Sequence, residues 1–260
     1  MGKPLRKRGV LATPAYPQPQ QIKRPKGHAE IVRNRTDLSF FLVHLTKADH
    51  ETDPGRRLMS ILTADASGFC TLNGTPQGYF GKMGDVLSDP ELAELTRGVA
   101  FTEAPLDQIK HFAIPIEAAG RQYSSFGLVF DQAFIRKARG NPCFYVNTWP
   151  DPSRRQALFG LLNDTHIKGS AYRDLLLYFN IFGEGKGGKP LDFYWEREWR
   201  VPGDLRFEYE DVFVGLATSE EDTKGRSWVK YFSQAIPNVP FIDPQWSIDE
   251  ILQALRARPK

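Results

Sequence analysis

The segment at residues 192–201, Asp-Phe-Tyr-Trp-Glu-Arg-Glu-Trp-Arg-Val, constrains the fold most, because it combines aromatic and charged residues without glycine or proline. Aromatic enrichment between Gly/Pro-rich loops predicts a β-strand, in which successive side chains point to opposite faces. One face of this strand would carry Tyr194, Glu196, Glu198 and Arg200. The other face would carry Phe193, Trp195, Arg197, Trp199 and Val201.

Two carboxylates on one strand face repel each other, so a cation must stabilise them or the pKa of one must rise. Glu196 and Glu198 are therefore candidates for acid–base chemistry or for stabilising a cationic intermediate. The competing interpretation is a solvated strand face on which Arg200 neutralises the pair. The residue types alone do not choose between the two.

The composition predicts a globular protein of one large domain or two small ones, with 41% apolar and 12% aromatic residues among 260. No apolar run reaches the roughly 20 residues of a membrane span, so we expect no membrane partner. The basic N-terminus lacks the apolar segment of a secretory signal. Cys70 and Cys143 lie far apart without a CxxC motif, which argues against a disulfide framework or metal site and favours a cytoplasmic location.

Positive charge is concentrated in residues 1–28, which contain seven Lys or Arg and no acidic residue. The formal net charge of the whole chain is +3, so residues 29–260 carry −4. Five prolines and three glutamines in the first segment predict a disordered basic arm, followed by a single α+β domain at 29–260. Such an arm contacts nucleic acid in some proteins and is only solvated in others, and both roles stay open.

Hydrophobic periodicity and turn residues predict helices and strands that interleave irregularly. Strands are predicted at residues 39–46, 99–103, 123–131, 142–146, 192–201, 211–217 and 239–242. Helices are predicted at 54–64, 89–96, 105–111, 134–138, 154–182, 219–235 and from Ser247 onward. Asp53 is the predicted N-cap of the first helix, and Glu250 completes a capping box with Ser247 in the last. Residues 65–84 predict a long loop of the kind that often covers a site. Without a regular βαβ series, the pattern favours an α+β fold with a mixed sheet.

Several short motifs follow one another in a recognisable order. They are His-Leu-Thr-Lys at 44–47, Leu58 with Ile61 and Leu62, Phe-Thr-Glu-Ala-Pro-Leu at 101–106, Phe-Gly-Leu-Val-Phe-Asp at 126–131, Gly-Asn-Pro-Cys-Phe-Tyr-Val at 140–146 and Glu-Arg-Glu-Trp-Arg-Val at 196–201. Over about residues 36–217 this set resembles the AbiGi-type abortive-infection proteins of bacterial phage resistance. More distantly, the layout is similar to NAD-dependent ADP-ribosyltransferases, including the DarT-like DNA-modifying toxins.

This resemblance implies an ADP-ribosyltransferase-like fold, a mixed split β-sheet with flanking helices, with NAD as the substrate. In such enzymes a first-strand His or Arg holds the dinucleotide, a middle strand lies beside the nicotinamide, and a late strand presents a Glu. The implied NAD-binding residues are His44, Thr46, Tyr123, Ser124 and Ser125. Glu198 would be the catalytic carboxylate and Glu196 its partner, while Thr102 is a rival for the middle-strand role.

The residue types suit this chemistry, because breaking the nicotinamide–ribose bond leaves an oxocarbenium-like ribose that a fixed carboxylate stabilises, and no metal is required. The acceptor would be nucleic acid or protein. A second interpretation is a non-catalytic antitoxin or partner protein of an abortive-infection system. A third is a nucleic-acid-binding protein or nuclease, with Asp131 as a further metal ligand. The pattern places His44 at the end of the strand predicted at 39–46, and a structural role in the core is the competing interpretation for this residue.

Overall fold

The computed structural model describes residues 39–47, 53–112, 123–149, 153–165, 173–184, 190–191, 194–221 and 225–256. The predicted basic arm at 1–28 lies outside these ranges. The strands are β1 Phe41–Lys47, β2 Cys70–Leu72, β3 Thr75–Pro76, β4 Arg97–Thr102, β5 Tyr123–Asp131, β6 Asn141–Pro142, β7 Phe144–Asn147, β8 Phe179–Glu184, β9 Pro190–Leu191, β10 Glu198–Pro202, β11 Leu205–Phe207, β12 Val212–Leu216 and β13 Phe241–Ile242. The α-helices are α1 Pro54–Ile61, α2 Gly84–Ser88, α3 Pro90–Leu95, α4 Gln132–Lys137, α5 Ser153–Thr165, α6 Trp228–Ala235 and α7 Ile248–Arg256. Short 3₁₀ turns form at Phe80–Lys82, Leu106–His111, Arg173–Tyr178, Tyr194–Glu196 and Tyr209–Asp211.

Eight of these strands form one mixed sheet in the order β13-β12-β5-β1-β4-β10-β6, with β3 paired to β4 beside this path. Neighbouring strands are antiparallel, apart from β12 and β13, which run parallel. Two smaller sheets contain β11-β2 and β7-β8-β9. The structure therefore confirms the predicted α+β class with a mixed sheet and flanking helices. No helix of the described ranges combines the length and apolar character needed to cross a membrane.

The sheet opens between β1 and β4. These strands pair at one register position, Val43 opposite Thr102. Gly98 of β4 pairs with Pro202 of β10 and also with Thr75 of β3. Since a strand residue pairs with one neighbour on each edge, β3 occupies the edge of β4 that faces β1. The strand β1 therefore separates from β4 soon after Val43, and the gap between them is free to form a cavity.

The central strands pack into two hydrophobic clusters, one on each face of the sheet, because their side chains alternate. The first cluster joins the sheet to α1 and α6, and the second joins it to the turn Leu106–His111 and to α7. Buried members of the first include Leu42, Leu58, Leu128, Phe130 and Phe232. Buried members of the second include Val43, Leu45, Ile109, Val129 and Ile251. Each fully buried side chain of this size contributes about 1.5–3 kcal/mol, so the walls of the gap are anchored in the core.

Predictions that rest on neighbouring residues are confirmed. The predicted strand at 123–131 coincides with β5. Asp53 caps α1 by accepting a hydrogen bond from the Arg56 amide at 2.9 Å. Ahead of α7, the amide of Ser247 donates to Glu250 Oε2 at 2.7 Å, and the Glu250 amide donates to Ser247 Oγ at 3.4 Å. Caps are predictable because both partners lie within one turn of the same chain.

Two predicted helices were too long. The helix predicted at 154–182 ends at Thr165 in α5, residues 166–172 lie outside the described ranges, and the rest forms a 3₁₀ turn and β8. The helix predicted at 219–235 begins only at Trp228. A short apolar run does not distinguish helix from strand by periodicity, and the pairing of β8 with β7 decides the outcome. Likewise, the predicted loop at 65–84 contains β2, β3 and a 3₁₀ turn.

Candidate functional site

A cavity of about 340 Å³ lies in the gap between β1 and β4. Its walls include five of the seven site residues predicted from the sequence, together with the rival Thr102. Those five are His44, Thr46, Tyr123, Glu196 and Glu198. The strands β1, β4, β5 and β10 each contribute at least one wall residue, so the split in the sheet is what brings these distant parts of the chain together.

His44 replaces part of the missing pairing between β1 and β4. Its imidazole Nδ1 lies 2.9 Å from the backbone oxygen of Ala100. Because a carbonyl oxygen only accepts hydrogen bonds, Nδ1 carries the proton, and in the neutral ring Nε2 is left as an acceptor. Burial lowers the pKa of His44 below its usual 6.5, and the charge of Lys47 lowers it further, against the opposing effect of the Ala100 bond. His44 is therefore neutral at pH 7. It lies within β1 rather than at its end, where the sequence pattern had put it.

The two hydroxyl residues beside His44 bond to each other. The register between β1 and β5 shifts between Leu45 and Lys47, which marks a bulge. There Thr46 Oγ1 lies 2.7 Å from Ser124 Oγ, and Ser124 Oγ also donates to the Thr46 carbonyl at 2.9 Å. These bonds satisfy the buried hydroxyls within the protein. Thr46 and Ser124 therefore stabilise the end of β1, and Thr46 also lines the cavity.

The middle-strand candidates differ in whether they line the cavity. Tyr123 is half-buried at the start of β5, packs against the second hydrophobic cluster and lines the cavity. Ser124 and Ser125 are not among the cavity-lining residues described. Thr102 lines the cavity, and its hydroxyl donates a short hydrogen bond to the backbone oxygen of Glu196. Tyr123 and its rival Thr102 are thus the middle-strand candidates that line the cavity.

The predicted continuous strand at 192–201 is wrong. Residues 192–193 lie outside the described ranges, Tyr194–Glu196 forms a 3₁₀ turn, and the strand begins at Glu198. Between turn and strand, Arg197 adopts a left-handed backbone conformation with φ of 45°. Such a residue interrupts an extended strand because its carbonyl and amide no longer alternate. Glu196 and Glu198 are consequently not neighbours on one strand face, although both are buried and both line the cavity.

Glu198 is held by a buried hydrogen-bond network. Arg200 donates from Nε to Oε1 at 2.9 Å and from Nη2 to Oε2 at 2.6 Å. Asn180 on β8 donates from Nδ2 to Oε2 at 3.1 Å. The Glu198 amide donates to the hydroxyl of Tyr145 at 3.1 Å, and burial raises the pKa of that hydroxyl, which stays protonated at neutral pH. The carboxylate is therefore fixed in orientation.

Arg200 is only 1% exposed, and its charge is satisfied on every side. Nη1 donates to the backbone oxygens of Leu177 at 2.5 Å and Phe179 at 3.3 Å. Burial alone would lower the pKa of Arg200, but the Glu198 carboxylate and its neighbours outweigh burial and raise it. Gly78 makes room for the guanidinium, since a Cβ there would lie 2.3 Å from Nη1. The predicted neutralisation by Arg200 is thus a buried ion pair with Glu198, not a solvated surface contact.

Cations line the cavity as well. Lys47, Arg57 and Lys82 are wall residues, and Arg57 donates to the Lys47 carbonyl at 3.3 Å. The segment predicted to cover a site supplies polar wall residues as well. These are Asn73, Thr75 and Gln77. These positively charged and polar groups line the cavity beside apolar side chains, so its walls suit an anionic ligand that also has an apolar part.

Asp131 does not join the two glutamates. It caps α4 by accepting a hydrogen bond from the Ala133 amide at 2.7 Å, at the end of β5 opposite Tyr123. Eight rises of about 3.3 Å along the extended strand separate these two ends by about 26 Å. Within the described ranges, no three His, Cys, Asp or Glu side chains form a group that could hold a metal ion.

Sequence reasoning missed Asn180 and Glu103. Asn180 was assigned to a helix, so its contact with Glu198 was not foreseen. Glu103 lies directly after β4, and its Oε1 accepts a hydrogen bond from Arg197 Nη2 at 3.2 Å. Its Oε2 accepts one from the Trp199 indole at 3.1 Å. The one available signal was an acidic residue following an apolar strand in the motif Phe-Thr-Glu-Ala-Pro-Leu at 101–106.

No protein-family model matches this chain, and neither the curated proteins nor the solved structures include a significant match.

Proposed function

We propose that this chain is an NAD-dependent ADP-ribosyltransferase of bacterial phage-defence or toxin type, and that the cavity between β1 and β4 binds NAD. The observation that carries the proposal is the convergence of His44, Tyr123, Glu196 and Glu198 on the walls of one cavity. These residues come from distant parts of the chain, and each is a site residue that the motif resemblance implies. Convergence of this kind supports a shared role.

The cavity chemistry matches the parts of a dinucleotide. The cations Lys47, Arg57 and Lys82 suit the two phosphates, whose charge is negative at neutral pH. Neutral His44 offers Nε2 as an acceptor for a ribose hydroxyl. The aromatic ring of Tyr123 suits contact with the nicotinamide. Each group would bind a different part of NAD without changing its own protonation state.

In the proposed reaction, the bond between the nicotinamide nitrogen and ribose C1′ breaks, and nicotinamide leaves with the bonding electrons. The positive charge that develops on the ribose is stabilised by the fixed Glu198 carboxylate. Glu196 accepts the proton of the acceptor group as that group bonds to C1′. Arg200 and Asn180 keep the Glu198 carboxylate oriented, although the Arg200 charge also reduces the negative potential that Glu198 supplies.

Release of nicotinamide from NAD by the purified full chain tests this proposal, with DNA, RNA and protein offered as acceptors. Glu198→Gln is expected to lower turnover by about 10²–10³. NAD affinity is expected to change little, because the ground-state ribose is neutral. Asp131→Asn is a matched control, since it removes a carboxylate charge far from the cavity and keeps the cap. Wild-type protein that binds NAD but never releases nicotinamide would contradict the proposal.

A second candidate, a non-catalytic partner protein on the same fold, is favoured by the ion pair of Glu198 with Arg200. A carboxylate bonded through both oxygens to a buried guanidinium is neutralised and already coordinated. This candidate predicts that the chain binds NAD without cleaving it. Neither wild type nor Glu198→Gln would then release nicotinamide. The nicotinamide assay therefore separates the two functions directly.

A further inference from the structure

Arg197 has an uncommon backbone conformation at the centre of the candidate site. Its φ of 45° lies in the left-handed region, where glycine is at ease and residues with a side chain are strained. Arg197 stands between Glu196 and Glu198, which both line the cavity. A strained residue persists only where its surroundings hold it. The contacts that hold Arg197 therefore also determine where the two carboxylates lie.

Glu103 supplies such contacts from the end of β4. Its carboxylate accepts hydrogen bonds from Arg197 Nη2 at 3.2 Å and from the Trp199 indole at 3.1 Å. Its backbone amide donates to the carbonyl of Arg197 at 3.2 Å. Glu103 thus holds the main chain of Arg197 and the side chains on both sides of Glu198. The Glu103 side chain is 12% exposed and does not line the cavity, so it has no direct access to a ligand there.

We propose that Glu103 is a positioning residue, which holds Arg197 in its left-handed conformation and thereby keeps Glu196 and Glu198 on the same cavity wall. The inference rests on the proposed function, because the two carboxylates are the groups that would act on NAD. Without the Glu103 carboxylate, the strained turn relaxes and Glu196 moves relative to Glu198. Misplacement of catalytic groups by about 1 Å can lower the rate by about 10²-fold.

The variants that test this idea use the ability of glycine to adopt a positive φ without strain. Arg197→Gly removes the side chain but adopts the left-handed conformation without strain. Arg197→Ala removes the same contact and keeps the strain. If Glu103 acts by holding this conformation, glycine at 197 should compensate for the loss of its carboxylate, and alanine should not. Asp65→Asn is the matched control, because it removes the charge of another carboxylate–arginine pair, Asp65 with Arg206, away from this turn.

Hydrogen exchange provides a readout that needs no activity. In this turn, the Arg197 amide donates to the Tyr194 carbonyl at 3.2 Å, and the Glu198 amide donates to the Tyr145 hydroxyl at 3.1 Å. Glu103→Gln and Arg197→Ala are expected to accelerate amide exchange across residues 194–199 about tenfold or more, while exchange in β5 stays unchanged. The Glu103→Gln/Arg197→Gly double variant is expected to exchange as slowly as Arg197→Gly alone.

Nicotinamide release from NAD provides the second readout. Glu103→Gln is expected to lower kcat about tenfold with little change in NAD affinity, and Arg197→Gly should restore it in the double variant. If wild type releases no nicotinamide, the proposed function fails, while the exchange experiment still decides the role of Glu103. The positioning role is overturned if glycine and alanine at 197 give equal exchange, or if exchange rises equally in β5. It is also overturned if an active enzyme with Glu103→Gln retains its full kcat.

Discussion

The guanidinium of Arg200 and the carboxylate of Glu198 form two parallel hydrogen bonds, Nε to Oε1 at 2.9 Å and Nη2 to Oε2 at 2.6 Å. Side-chain exposure is 1% for Arg200 and 8% for Glu198, so the pair is shielded from water. Two residues apart on β10, these side chains share one strand face, as the alternation of a strand requires. The pair is therefore both a structural element of the fold and a part of the candidate site.

Removing one member of this pair should destabilise the protein strongly. Glu198→Gln leaves the Arg200 charge buried without its partner, and Arg200→Met likewise leaves the Glu198 carboxylate buried without its partner. Each single change is expected to reduce the free energy of unfolding by about 3–5 kcal/mol, measured by urea denaturation. The double variant, which buries no charge, is expected to cost clearly less than the sum of the two.

Asp65→Asn is the control for this experiment. Asp65 and Arg206 form an ion pair with half-exposed side chains, and the loss of such a pair costs about 0–1 kcal/mol. If Glu198→Gln costs no more than Asp65→Asn, the buried pair does not contribute as proposed. Turnover of the Glu198 variants must accordingly be compared at a temperature where circular dichroism shows that each protein is folded.

The wall cations should control the affinity for a dinucleotide. Lys82→Ala is expected to raise the Kd for NAD about five- to tenfold, because it removes a positive charge from the cavity wall. The difference should shrink as the salt concentration rises, since salt screens exposed charges. Isothermal titration calorimetry at low and high salt checks both points. Lys137→Ala, which removes an exposed charge from α4, should leave the Kd unchanged, and an equal effect of the two variants would refute the assignment.

His44 should make stability depend on pH in a defined direction. Because burial holds its pKa below the usual 6.5, the unfolded chain binds the proton more readily than the folded protein does. The contribution of neutral His44 is therefore complete above about pH 6.5 and is lost as the pH falls toward its folded-state pKa. Each unit of pKa depression corresponds to about 1.4 kcal/mol.

His44→Asn isolates this effect. The Asn amide can donate to the Ala100 carbonyl in place of Nδ1, but it does not titrate. Urea denaturation between pH 7.5 and 5.5 should show that wild type loses stability relative to His44→Asn as the pH falls. Parallel curves for the two proteins would mean that His44 has no depressed pKa.

The sequence was informative where structure is determined locally. The strand at 123–131 and the caps at Asp53 and Ser247 depend on neighbouring residues, and each was predicted correctly. The candidate site residues could be selected by motif, and five of seven line the cavity. The sequence did not reveal the left-handed Arg197, because that conformation depends on contacts with Glu103 across the sheet.

The Glu198 network was hidden from sequence reasoning for a related reason. Asn180 reaches Glu198, and the carbonyls of Leu177 and Phe179 reach Arg200, only because the chain enters β8 after a short 3₁₀ turn. An apolar run at these positions fits a helix equally well, and pairing with β7 decides the matter. The long-range pairing of β8 with β7 therefore determines whether the Glu198 carboxylate is held in this hydrogen-bond network.

Gly78 should be required for the Arg200 network. Its φ is +71°, and a Cβ at this position would lie 2.3 Å from Arg200 Nη1 and 2.6 Å from the Phe179 carbonyl oxygen. Gly78→Ala therefore combines left-handed strain with a clash against a buried group that cannot move freely.

Gly203→Ala is a matched control, since Gly203 has a φ of +66° with nothing within 4 Å of an added Cβ. The control should cost about 1 kcal/mol of unfolding free energy from strain alone, and Gly78→Ala should cost about 1–3 kcal/mol more from overpacking. Urea denaturation of both variants measures the difference, and equal costs would mean that the guanidinium does not need the space that Gly78 leaves.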